Sequence, residues 1–154
     1  MKKIILVTVS FIFVTIGCKT STVNTPSNGL NVTFEPKSES KVSGEGTFTE
    51  KNGKVTFTAN FKGLKPGIHA IHIHEKSDCS AADGSSAGGH WNPTFKKHGN
   101  GTITITTPEW CIGCGDATKD ILGKSLIVHQ GPDDYVTQPS GNSGARVACS
   151  AIIR

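Results

Sequence analysis

The chain predicts an all-β domain, and three observations carry that prediction. After residue 20 no stretch shows the apolar periodicity of a helix. Short runs of Thr, Val and Ile are interrupted instead by Gly, Asn and Pro, the punctuation of strands and turns. The length of 154 residues suggests one domain.

The first element is not part of that domain. Lys2 and Lys3 precede an apolar run over residues 4–16. A bilayer core of about 30 Å needs about 20 apolar residues, so this run is too short to span one. It fits the charged and hydrophobic regions of an export signal, expected over residues 1–17. Val14-Thr15-Ile16-Gly17-Cys18 resembles a lipobox, which makes Cys18 the expected lipidation site and the mature protein a membrane-anchored lipoprotein facing the periplasm or the cell surface. A plain secretory signal is the alternative. Residues 18–30 are polar and turn-rich and read as a flexible tether. The β domain then occupies 31–154.

Strands are expected at residues 31–35, 42–50, 54–62 and 67–75, joined by short turns such as KNGK. Later strands are expected at 101–107, 124–130 and 146–153. Between residues 75 and 101 lies a long segment rich in Gly, Ser, Asp and His, and a connection of that length is usually functional.

Charge and cysteines narrow the reading further. The 16 basic and 12 acidic residues give +4, and removing Lys2 and Lys3 leaves 14 against 12, or +2. Neither the net charge nor any basic run gives a nucleic-acid footprint. With Cys18 lipidated, Cys79, Cys111, Cys114 and Cys149 remain. An even number in an oxidising compartment suggests two disulfides, and the sequence permits three pairings.

The stretch IHIHEKSDC carries the strongest chemical signal. Residues i and i+2 of a strand share a face, so Ile71 and Ile73 point to the core, with His69, while His72 and His74 point away from it. Their backbones would be about 7 Å apart, close enough for both rings to meet one ion. His90 in a Gly-rich loop, His98, and His129 at a strand end complete a set suited to copper or zinc.

IHIHEKSDC, SAGGHWNP, KKHG, SLIVHQGPDDY and GNSGARVACSAII together resemble the copper–zinc superoxide dismutase family, in family order. The resemblance implies a Greek-key β-barrel or sandwich. It implies His72, His74, His90 and His129 as copper ligands, with His90 also bridging to zinc and His98 as a zinc ligand. Asp133 resembles the carboxylate that orients a metal-bound histidine. Arg146 resembles the arginine that attracts superoxide, and it and His90 are the expected catalytic residues. Cys79 and Cys149 resemble the family disulfide, and His69 an inward structural histidine.

The chain also departs from the family pattern. KKHGN runs directly into GTITITTPEW, without the segment that supplies a further His and an Asp to zinc. The zinc site is therefore expected to be incomplete, and the barrel to have one strand fewer than the family's eight. The Cys111-Ile112-Gly113-Cys114 motif reads as a local structural disulfide, with a metal or redox role as the alternative. The expected function is an exported, copper-dependent superoxide dismutase. The alternative is a non-catalytic copper-binding lipoprotein on the same scaffold. Retained Arg146 and Asp133 favour the enzyme. The substrate would be superoxide, the only membrane contact the lipid anchor, and a homodimer stays open.

Overall fold

A computed structural model describes residues 29–91, the backbone of 97–99, and residues 101–137 and 141–154. The expected signal peptide, Cys18 and almost all of the tether lie outside the described residues.

The described chain is all-β apart from one 3-10 turn, Ser85–Ala87. Its strands are β1 Gly29–Pro36, β2 Ser43–Lys51, β3 Lys54–Lys62, β4 His69–His74, β5 Lys97–Gly99, β6 Thr102–Thr107, β7 Lys124–His129 and β8 Arg146–Ile152. All pairings between these strands are antiparallel, in the order β5-β4-β7-β8-β1-β2-β3-β6. The seven strands of six residues or more are those expected from the sequence, with ends shifted by up to two residues. The strand β1 begins at Gly29, so it takes the last two residues assigned to the tether.

A three-residue strand, β5, adds to the edge of β4. It lies at one edge of the sheet and β6 at the other, yet only residues 100 and 101 separate them in the chain. The sheet is therefore curled until its two edge strands follow one another in the chain. Phe61 N–H donates to Gly101 O at 2.7 Å, which extends the β3–β6 pairing by one residue.

Side-chain alternation sets the inside of the curl. Leu30, Val32 and Phe34 of β1, Phe48 of β2, Val55 and Phe57 of β3, and Ile103 and Ile105 of β6 are all buried in one core. Phe48 and Phe57 pack with ring centroids 4.5 Å apart, and Trp110 meets Phe48 at 6.3 Å. On the outer face, threonines pair across strands: Thr56 with Thr106 at 3.0 Å and Thr58 with Thr104 at 3.3 Å. This two-sided pattern is why the sequence alternates Thr with Phe or Ile. The expected KNGK hairpin is present, with Asn52 and Gly53 both at positive φ, as a two-residue turn matched to strand twist requires.

Strand β4 differs from the rest, because all six of its residues are buried. Ile71 and Ile73 face the core. Its other face is covered by the long connection that follows it, and there the histidines lie.

Candidate metal centre

The segment after β4 turns back on the strand it left. Trp91 N–H donates to Ile73 O, Glu75 N–H to Gly89 O and Lys76 N–H to Ala87 O. His90 thereby forms a bridge opposite His74. The Cys79–Cys149 disulfide ties the same segment to β8. On the other side of β4, a register irregularity at Val128/His129 in the pairing of β7 with β8 interrupts the strand. Such bulges re-aim side chains. Val128 stays in the core, while His129 joins the histidines.

His72, His74, His90 and His129 converge, each offering one ring nitrogen within 4.8 Å of the others. Ring centroids lie 4.0 Å apart for His72–His90 and 4.8 Å for His72–His129 and His74–His90. His72, His74 and His129 are almost completely buried, and His90 is half-buried at the rim.

The hydrogen bonds behind the rings decide which nitrogen faces inward. His74 Nδ1 donates to Gly88 O at 3.0 Å, and His129 Nδ1 is directed at Gly144 O at 3.4 Å. His72 Nε2 donates to Asp133 Oδ2 at 2.8 Å. The nitrogens left over are His72 Nδ1, His74 Nε2 and His129 Nε2. Each is buried and makes no hydrogen bond, and so is His90 Nε2. A buried polar atom without a partner is costly. Four lone pairs aimed at one spot fit a cation there, and imidazole donors suit copper or zinc.

Electrostatics keep the rings ready to ligate. Burial lowers His74 and His129 to about 3 and His90 to about 4. For His90 and His129 the neighbouring His72 adds to the effect, while the Gly88 and Gly144 carbonyls oppose it at His74 and His129. At neutral pH these rings are therefore neutral and keep their lone pairs.

Arg146 lies beside the cluster, paired with His129 across the bulge. Its guanidinium donates to Gly84 O at 2.8 Å and to Gly88 O at 2.9 Å. Gly88 O thus fixes both His74 and Arg146. Nothing in the sequence marks that role, because a backbone acceptor has no side-chain signature.

Gly141 is a second residue whose role the sequence leaves unmarked. Its φ is +59°, and a Cβ there would overlap the Asp133 carboxylate. Asp133 is otherwise held by Tyr135 N–H at 2.6 Å. Partners behind metal-bound histidines typically contribute about 10–100-fold to affinity. Asp133→Asn should weaken metal binding at the histidine cluster within that range, and Gly141→Ala should do the same by displacing an unaltered aspartate. Competition titration against a chelator of known affinity measures both. Wild-type affinity in Gly141→Ala would show that Asp133 does not orient His72.

The structure thus brings together His72, His74, His90, His129, Asp133 and Arg146. It also contains both expected disulfides, Cys79–Cys149 and Cys111–Cys114. His69 is inward and bonded through its two ring nitrogens to His129 O and Lys65 O. The His98 side chain lies outside the described residues; only its backbone is placed, opposite Ala70.

Residues 42–152 match the family described as copper/zinc superoxide dismutase. The chain is 37% identical over 139 residues to a Cu-Zn superoxide dismutase of Caulobacter vibrioides, covering 74% of this chain and 80% of that one. It is 33% identical over 138 residues to Cu-Zn superoxide dismutase 2 of Aquifex aeolicus, covering 74% and 81%. Among solved structures, a SOD-like protein from Bacillus subtilis superposes with a TM-score of 0.61 at 29% identity, covering 80% of this chain and 97% of that one.

Proposed function

The chain belongs to the copper/zinc superoxide dismutase family, and from that premise we propose that it is a copper-dependent superoxide dismutase. The observation that carries the proposal is the convergence of four inward ring nitrogens beside a fixed arginine. His72, His74, His90 and His129 would hold the metal. Copper there would supply one-electron cycling between Cu(II) and Cu(I), so that one superoxide is oxidised to oxygen and a second is reduced to hydrogen peroxide.

The chain's own residues do the rest. Two of the five N–H donors of Arg146 are committed to carbonyls, and the remainder attract and orient the small anion. Arginine suits this role because it keeps its charge at any working pH. Peroxide needs two protons. His90, the most exposed of the four rings, sits at the rim where protons from solvent would reach the site. Asp133 keeps the proton of His72 on Nε2, so that Nδ1 stays a ligand.

The first test is stopped-flow decay of superoxide with copper-loaded protein. No acceleration in the presence of a chelator that silences free copper would leave the non-catalytic copper-binding reading. Arg146→Ala should retain copper but react about 10-fold more slowly or worse, with a flattened salt dependence.

Zinc is the finer part of the proposal. Only His90 and His98 correspond to zinc ligands in the sequence, and His90 is already directed at the copper cluster. A closed zinc site takes four ligands. Protein offered both metals should hold about one copper and much less than one zinc after exhaustive dialysis, read by metal analysis. A stoichiometric zinc lost in His98→Ala would contradict this. Export through residues 1–17 and anchoring at Cys18 belong to the same proposal. They predict that Cys18→Ser moves the mature protein out of the detergent phase.

A further inference from the structure

The connection from β6 to β7 holds a second convergence of ligand atoms, at Cys111, Cys114 and Asp120, all within 4.8 Å of one another. It is a different connection from the one that carries His90. The two sulfurs are joined as a disulfide with a sequence separation of only 3. A cross-link that short restrains little of the unfolded chain compared with the separation of 70 at Cys79–Cys149.

The loop is fixed by other means. Cys111 N–H donates to Lys119 O at 2.9 Å, and Ile121 N–H donates to Cys111 O at 3.1 Å. Asp120 collects three backbone donors: Gly113 and Leu122 at Oδ1, and Gly115 at Oδ2, between 2.8 and 3.0 Å. Ile112 N–H donates to Glu50 Oε2. Trp110, Ile112 and Ile121 are buried in the core. The backbone therefore holds the two cysteines together whether or not the sulfurs are bonded. Cys111 is buried and Cys114 exposed, so one sulfur is open to attack and the other is sheltered.

We propose that Cys111 and Cys114 form a reducible pair that, as a dithiol, binds one Cu(I). An external dithiol would attack Cys114 Sγ, breaking the disulfide bond and releasing Cys111 as a thiolate. The second thiol of the reductant would then resolve the mixed disulfide. The two electrons come from the reductant, which leaves as a disulfide, and both cysteines end as thiols. Copper binding displaces the two thiol protons. Two points favour Cu(I) over zinc. Thiolates are soft donors, and two of them satisfy Cu(I), whereas zinc requires four ligands. Asp120, the third group, already accepts three N–H bonds, which leaves it at most a peripheral ligand.

The test uses full-length protein under anaerobic conditions, titrated with Cu(I) alone against a Cu(I)-specific chelator. The same protein is compared after dithiol reduction and after air oxidation. Reduced protein should take one more Cu(I) than oxidised protein, with a thiolate-to-copper charge-transfer band in the ultraviolet. Cys114→Ser should lose both the extra equivalent and the band; its exposed position leaves the buried anchors in place. An equal Cu(I) uptake by the two redox forms would overturn the proposal. So would an extra equivalent that survives in Cys114→Ser, an extra site that takes Zn(II) in preference, or a disulfide that reductant opens only after the protein unfolds.

Discussion

His129→Ala should abolish copper-dependent dismutation while leaving the barrel folded. The imidazole is almost fully buried, and its Nε2 makes no hydrogen bond. Removing it leaves His72, His74 and His90 with a gap on the β7 side. Loss of a partner behind a metal-bound histidine costs about 10–100-fold in affinity, so loss of a ligand itself should cost about 100-fold or more. The fold should survive because the hydrogen bonds that pair β7 with β4 and β8 are made by the backbone. The ring's own hydrogen-bond contact, from Nδ1 to Gly144 O, is long at 3.4 Å. Copper affinity, dismutation rate per bound copper and a thermal melt separate the outcomes. A variant that keeps near wild-type rate per copper would remove His129 from the site.

The convergence of His72 and His74 is legible in the sequence because a strand converts spacing into geometry. His72 and His74 share a face by the pleat alone, and Ile71 and Ile73 fix which face is inside. Asp133, four residues past His129, and the pair Cys79 and Cys149 were legible only through resemblance, since nothing in their own spacing says what they meet. Three features were not legible at all. The passage of the chain through β5 from one edge of the sheet to the other is a tertiary outcome with no local pattern. The Gly88 carbonyl serves both His74 and Arg146 through an atom that every residue possesses. Gly141 gives room for a carboxylate eight residues earlier, and only the folded loop shows that contact.

The two disulfides should differ sharply in what they contribute to stability. Cys79 and Cys149 are 70 residues apart, with Cα atoms at 5.8 Å. The chain-entropy model gives about 4 kcal/mol for closing a loop of that size, an upper-end value. Cys149 is fully buried and packs in a small cluster with Ala87, Ile127 and Cys79. Breaking the bond therefore also loosens the segment that holds His90 and supplies the Gly84 and Gly88 carbonyls to Arg146. Replacing both cysteines with alanine should lower the unfolding free energy of metal-free protein by about 4 kcal/mol, measured by denaturant titration. It should also weaken copper binding, although neither cysteine touches the histidine cluster. The matching change at Cys111 and Cys114 should cost no more than about 2 kcal/mol, because their loop is only a few residues long. It should leave copper at the histidines unchanged, because that loop is anchored by Asp120 and the core rather than by its bond. Equal losses from the two pairs would mean that loop length is not what sets their contribution. The sheltered bond at Cys149 and the exposed one at Cys114 would then have to be ranked by packing instead.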